Sequence, residues 1–168
     1  TSEDYNSTIK LYELADGFIR CTDYNVFGGY CKELVYTKVS EQKCGLYATM
    51  LYNYQMTNVM VLLLEDEHLV AKAQNLLEDD YASMNNNQLF SDVNSDGITD
   101  ILSFKLPIKN DTNTSYENYL RIWQCWDGKE GFRTVKAAIS NQQEGYTFDV
   151  PLEWLADLGY GFEYQGEI

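Results

Sequence analysis

Turn signals cut this chain into short pieces, and most of the pieces are rich in strand-forming residues. Gly28-Gly29 separates two aromatic-rich flanks, Glu65-Asp66-Glu67 is a charged turn, and Asp127-Gly128 opens a loop completed by Lys129, Glu130 and Gly131. Between these breaks lie Leu34–Val39, Cys44–Tyr54, Thr57–Leu64, Ile98–Leu106, Tyr119–Trp126 and Phe132–Ile139. Each carries β-branched or aromatic residues over roughly four to eleven positions, and several alternate between apolar and polar side chains. Pro107 stops the Ile98 segment, because proline cannot donate to a ladder. A chain punctuated this way is expected to fold as a mainly β protein of antiparallel hairpin units.

Two segments admit a helix as well as a strand. Ile9, Leu11, Leu14 and Phe18 line one side of a short helix, or belong to a strand that runs into an Asp16-Gly17 turn. Leu69, Val70, Ala73, Leu76, Leu77 and Tyr81 match a helical stripe, or Leu69–Leu76 is the return arm of a hairpin. The second option gains weight from a comparison within the chain. Val59–Leu76 and Tyr119–Ile139 share a layout: an apolar strand, a charged turn, and a return arm with Val-x-x-Ala, at Val70–Ala73 and Val135–Ala138. Repeat units at about 46–84 and 89–140 within one domain are therefore expected. Asn85–Asn87 and Asn110–Ser115 read as loops. Pro151–Leu158 reads as one short helix, with Pro at its start, Gly159 at its end and Trp154 as packing anchor. Gly159–Ile168 reads as a closing strand.

The most specific chemistry lies in Asp92-Val93-Asn94-Ser95-Asp96-Gly97-Ile98-Thr99-Asp100. Oxygen-bearing side chains fall at alternate positions, Asp92, Asn94 and Asp96, and point inward as such a loop curls. Gly97 permits a sharp turn, the carbonyl of Ile98 offers another oxygen, and Asp100 adds a carboxylate. Hard cations such as Ca²⁺ take about six to eight oxygen ligands. The bland alternative is an Asx-rich turn that holds no metal. An EF-hand needs a bidentate Glu at the twelfth loop position, which here is Ser103. Dockerin modules depart at the same residue, and no second copy of the loop is visible.

With Asp100 at the ninth position, a strand directly after it and Phe90 just before it, Phe90–Phe104 resembles the calcium loop of FG-GAP/VCBS-type β-propeller repeats, such as those of integrin α-subunits. The resemblance covers about fifteen residues closely and extends loosely to Ile139. It implies Ca²⁺ held by Asp92, Asn94, Asp96, Ile98 and Asp100, and blade-like hairpin units. At roughly 40–50 residues per blade, 168 residues hold about three. A closed propeller takes at least four, so a partial or degenerate form is implied.

Charge and cysteine content bound the function. The net charge is −14, which disfavours a nucleic-acid partner and suits cation binding. The longest apolar run, Val59–Leu64, is far below the ~18 residues of a membrane span. Cys21, Cys31, Cys44 and Cys125 form no C-x-x-C pair, so zinc is disfavoured; paired disulfides and buried thiols both remain open. His68, the one histidine, follows three acids and reads as a solvated turn residue, and no catalytic triad is recognisable. The 14 tyrosines suit sheet packing, or a platform for stacking sugars or peptides. Asn6, Asn110 and Asn113 each begin an N-x-S/T sequence, which matters only in a host that glycosylates.

The resulting expectation is a non-enzymatic calcium-binding module, secreted or at the cell surface, whose partner is a glycan or a protein. The competing expectation is a carbohydrate-active hydrolase, or its accessory domain, using paired carboxylates. Glu153 beside Trp154 is the acid-plus-aromatic pair considered for it.

Overall fold

A computed structural model describes residues 6–52, 56–77, 89–105, 118–129, 131–141 and 144–157. They form eleven strands and one short helix. Among the described residues every strand pairs antiparallel with its sequence neighbour within a sheet, so the strands of each sheet lie in sequence order.

The first unit is a two-stranded hairpin of β1 (Asn6–Ala15) and β2 (Phe18–Gly28). Asp16 and Gly17 both have positive φ, the turn whose twist matches a two-residue hairpin. The helical alternative for Ile9–Phe18 is thus not adopted. Next comes a four-stranded meander: β3 (Tyr30–Ser40), β4 (Lys43–Tyr52), β5 (Met56–Glu65) and β6 (His68–Leu77). The hairpin reading of the β5–β6 segment holds, with Asp66 and Glu67 both at positive φ in the turn. A five-stranded meander follows: β7 (Phe90–Ser91), β8 (Asp100–Lys105), β9 (Asn118–Trp126), β10 (Phe132–Asn141) and β11 (Tyr146–Asp149). Both return arms of the proposed repeat carry one bulged residue, Lys72 in β6 and Val135 in β10. The helix α1 spans Leu152–Asp157. The Asn85–Asn87 and Asn110–Ser115 loops and the closing strand at Gly159–Ile168 lie outside the described residues.

Three apolar layers hold these pieces together. The largest sits between the two meanders, where Val39, Tyr47, Val59, Val61 and Leu63 meet Phe90, Leu102, Phe104, Trp123 and Trp126. On the other face of the four-stranded sheet, Ala48, Met50, Met60 and Leu62 pack under Ile9 of the hairpin. So β5 is apolar on both faces, which is why Val59–Leu63 reads as an unbroken hydrophobic run rather than an alternation. A third layer, Leu120, Ile122, Ala137 and Val150, lies outside the five-stranded sheet, with Leu155 of α1 against it. Trp154 is not the helix's packing anchor: it is 58% exposed, and Leu155 takes the inward position.

Each meander is an up-and-down antiparallel sheet, and the fold as a whole is mainly β and only partly propeller-like. Stacked face to face, the two sheets bury the first core from both sides.

Candidate metal centre

The acidic segment is the connection of the β7–β8 hairpin, closed by the pairing of Ser91 with Asp100. Its path is set by its own side chains. The Asp96 amide donates to Asp92 Oδ1 at 3.2 Å and to Asn94 Oδ1 at 3.1 Å. The Gly97 amide donates to Asp92 Oδ2 at 2.9 Å, and the Ile98 amide to Asp96 Oδ1 at 2.8 Å. Asn94 Nδ2 donates to Asp96 Oδ2 at 3.0 Å. Ser95 and Gly97 both lie in the left-handed region, at φ 61° and 79°, so the chain reverses within three residues.

Asp92, Asn94 and Asp96 are exposed, whereas Asp100 is 0% exposed. Asp100 Oδ2 accepts the Val93 amide at 3.0 Å, which turns the carboxylate toward the loop. Its other oxygen, Oδ1, is buried with no hydrogen-bond partner. Burial raises the Asp100 pKa above the usual carboxylate value; the Val93 amide opposes this, the charges of Asp96 and Asp92 add to it, and Arg133 offsets part of it. A buried carboxylate with a bare oxygen and two like charges beside it is the least satisfied group in this region.

The loop is fastened to the four-stranded sheet by Thr99. The Thr99 amide donates to the Lys38 carbonyl at 3.0 Å, and the Thr37 and Thr99 hydroxyls share a hydrogen bond at 2.6 Å. Tyr47 donates its hydroxyl to the Thr99 carbonyl at 3.1 Å, and its ring stacks on Phe90 at 5.5 Å. Ile98, 2% exposed, plugs the base of the loop. Lys38, Thr37 and Tyr47 carry no local sequence signal for this task, because the contacts span 52 to 62 positions.

All five residues expected as ligands therefore belong to one connection, and their donors are all oxygen, which suits a hard cation. A carboxylate oxygen that accepts one amide keeps a second lone pair. The three carboxylates do not by themselves converge: among the described residues, no group of three or more His, Cys, Asp or Glu side chains is placed to hold a metal.

A cavity of about 320 Å³ adjoins the loop, with Ile98 and Trp126 in its lining, together with Glu41, Asp127 and Arg133. Asp127 Oδ1 accepts the amides of Lys129 and Gly131 at 2.8 and 3.1 Å, and these bonds hold its carboxyl below the usual range. Elsewhere, Glu153 and Trp154 stand exposed on α1. His68 is exposed, as the sequence implies, with Nδ1 3.6 Å from Asp23 Oδ1. The four cysteines are free thiols, Cys21 and Cys44 exposed and Cys125 buried.

Comparison with protein-family models, with curated proteins and with solved structures finds no match.

Proposed function

We propose that Asp92–Asp100 binds one Ca²⁺ and that the ion is structural, stiffening the β7–β8 connection where it meets the four-stranded sheet. One observation carries this reading: the buried Asp100 carboxylate has an oxygen without a partner while Asp92 and Asp96 press their charge upon it. Asp92, Asn94, Asp96 and Asp100 would supply side-chain oxygens and Ile98 its carbonyl. An ion that binds the folded state alone stabilises it by mass action. The wider role that fits is a non-enzymatic, FG-GAP/VCBS-like binding or adhesion module, secreted or at the cell surface, meeting a glycan or protein. The location rests on the abundance of calcium outside cells; the free thiols add nothing to it.

The hydrolase alternative gains little. Glu41 and Asp127 line one cavity, but a general acid needs a raised pKa, and the two amides on Asp127 lower its own.

Titration calorimetry on chelator-stripped protein tests the metal reading, with Asp96→Ala as the paired variant. A single calcium site lost in the variant supports it. An absence of both heat and thermal shift across millimolar calcium reduces the loop to an Asx-rich turn and removes the basis for the wider role.

A further inference from the structure

The β1–β2 hairpin covers the four-stranded sheet with one face only. Ile9, Leu11 and Phe27 point into the layer beneath. Pairings of Thr8 with Val26, Lys10 with Tyr24, Tyr12 with Cys21 and Leu14 with Ile19 put these eight residues on the opposite face. Five of them are large and apolar: Tyr12, Leu14, Ile19, Tyr24 and Val26, between 55% and 75% exposed. Lys10 is the only charged member. At the tip the hairpin overhangs its support, since Phe18, on the inner face, is 77% exposed.

Together these five side chains offer on the order of 600 Å² of exposed surface, the upper end of what a monomer usually leaves in one patch. Surface of that kind marks an interaction site. Laid against an equal patch, it would bury about 1,200 Å² in total, which reaches the lower bound for a specific protein interface. A two-stranded face of this kind can also make a twofold contact, where one patch meets its own copy. Charge points the same way. The whole chain carries −14, yet these eight residues include no carboxylate, so two acidic molecules can approach through them with little local repulsion. A charged partner would find no complementary charge there beyond Lys10.

We infer that the outer face of the β1–β2 hairpin is a self-association surface, and that the protein pairs through it with a second copy of itself. The contact is mostly apolar, with Lys10 beside Tyr24 as its one charged member, and is opposed by long-range repulsion between the acidic bodies. Salt therefore strengthens it, the reverse of what an ion-paired interface shows. The inference does not depend on the metal site.

Sedimentation velocity from low micromolar to near-millimolar protein, at two salt concentrations and with either calcium or chelator, tests it. A reversible monomer–dimer equilibrium that tightens with salt is expected. Ile19→Lys should weaken it at least about tenfold, as loss of an anchoring apolar contact does, with an unchanged circular dichroism spectrum. Tyr24→Lys serves as a second variant if Ile19→Lys misfolds. Trp154→Lys, on the distant helix, should leave it unaltered. A monomer at all concentrations, a dimer indifferent to both hairpin variants, or binding of the hairpin face to neutral phosphatidylcholine vesicles in place of self-association would each overturn the inference.

Discussion

Tyr47 reaches from the middle of β4 to the Thr99 carbonyl, 3.1 Å away, and so fixes the end of the acidic loop to a different sheet. Its ring is fully buried and stacked on Phe90, which leads into the same loop. One side chain thus holds the loop's entrance by packing and its exit by a hydrogen bond. Burial pushes the phenol far above its usual pKa, so the hydroxyl stays a donor at every physiological pH.

Removing that hydroxyl isolates the hydrogen bond from the packing. Tyr47→Phe keeps the ring and its stack but leaves the Thr99 carbonyl without this donor. The expected loss is about 1 kcal/mol of stability, read as a lower urea midpoint with an unchanged slope. Tyr47→Ala empties the core as well and should cost about 3–5 kcal/mol. Equal losses in the two variants would mean that the hydrogen bond, and not the ring, carries the anchor.

Asp100→Asn separates the cost of a buried charge from its use. Without calcium the charge has a bare oxygen, burial and two like neighbours against it. A neutral amide of the same shape should leave the metal-free melting temperature equal or higher. On the proposed calcium reading the same substitution also removes a ligand, so the rise on adding calcium should disappear. Differential scanning calorimetry with and without calcium reads both effects. A variant that is less stable without metal, yet still responds to calcium, would assign Asp100 to the fold and not to the site.

Much of this architecture was legible from local pattern. Strand segments bounded by Gly28-Gly29, Glu65–Glu67 and Asp127-Gly128 are where the structure has strands, because side-chain period and turn chemistry are both local properties. The internal Val-x-x-Ala match weighs toward a strand at β6 against its helical periodicity, and the structure has the strand. What covers each sheet was not legible. Val59–Leu63 announces a strand buried on both faces but not that a separate hairpin supplies one cover. The loop's alternating oxygen-bearing side chains were readable locally, whereas its anchors at Thr37, Lys38 and Tyr47 are distant in sequence. Trp154 misled because size argues for burial, while a six-residue helix has room for only one inward anchor, and Leu155 fills it.

The β5–β6 turn stores strain that can be removed. Asp66 and Glu67 occupy left-handed conformations, at φ 48° and 67°, without being glycine. Such a conformation costs an L-residue roughly 1–2 kcal/mol, part of which glycine returns as unfolded-state entropy. Glu67→Gly should raise stability by roughly 0.5–1 kcal/mol. Gly17 gives the converse: φ is 78°, and a Cβ there would meet nothing within 4 Å. Gly17→Ala should therefore lose about 1 kcal/mol through conformation alone. Denaturant midpoints of the two variants should move in opposite directions; a shared direction would show that side-chain contacts dominate these turns.

Acid should loosen the hairpin from the sheet before it unfolds the rest. The Leu69 amide donates to Asp23 Oδ2 at 2.7 Å, while Asn25 Nδ2 donates to the Leu69 carbonyl at 2.5 Å. Two side chains of β2 thus satisfy the outward edge of β6 as a neighbouring strand would. The Leu69 amide is the largest influence holding the Asp23 carboxyl below its usual pKa, and His68 adds a smaller pull. A carboxylate whose pKa is lowered on folding contributes stability above its unfolded value, near 3.9, and loses it as pH falls through the folded value. Hydrogen exchange of the Leu69 amide, corrected for its intrinsic pH dependence, should lose protection across that window while amides in β5 stay protected. In Asp23→Asn the side-chain oxygen still accepts the bond but cannot titrate, so the protection should become flat with pH. A pH-dependent loss that persists in that variant would place the acid-sensitive group elsewhere.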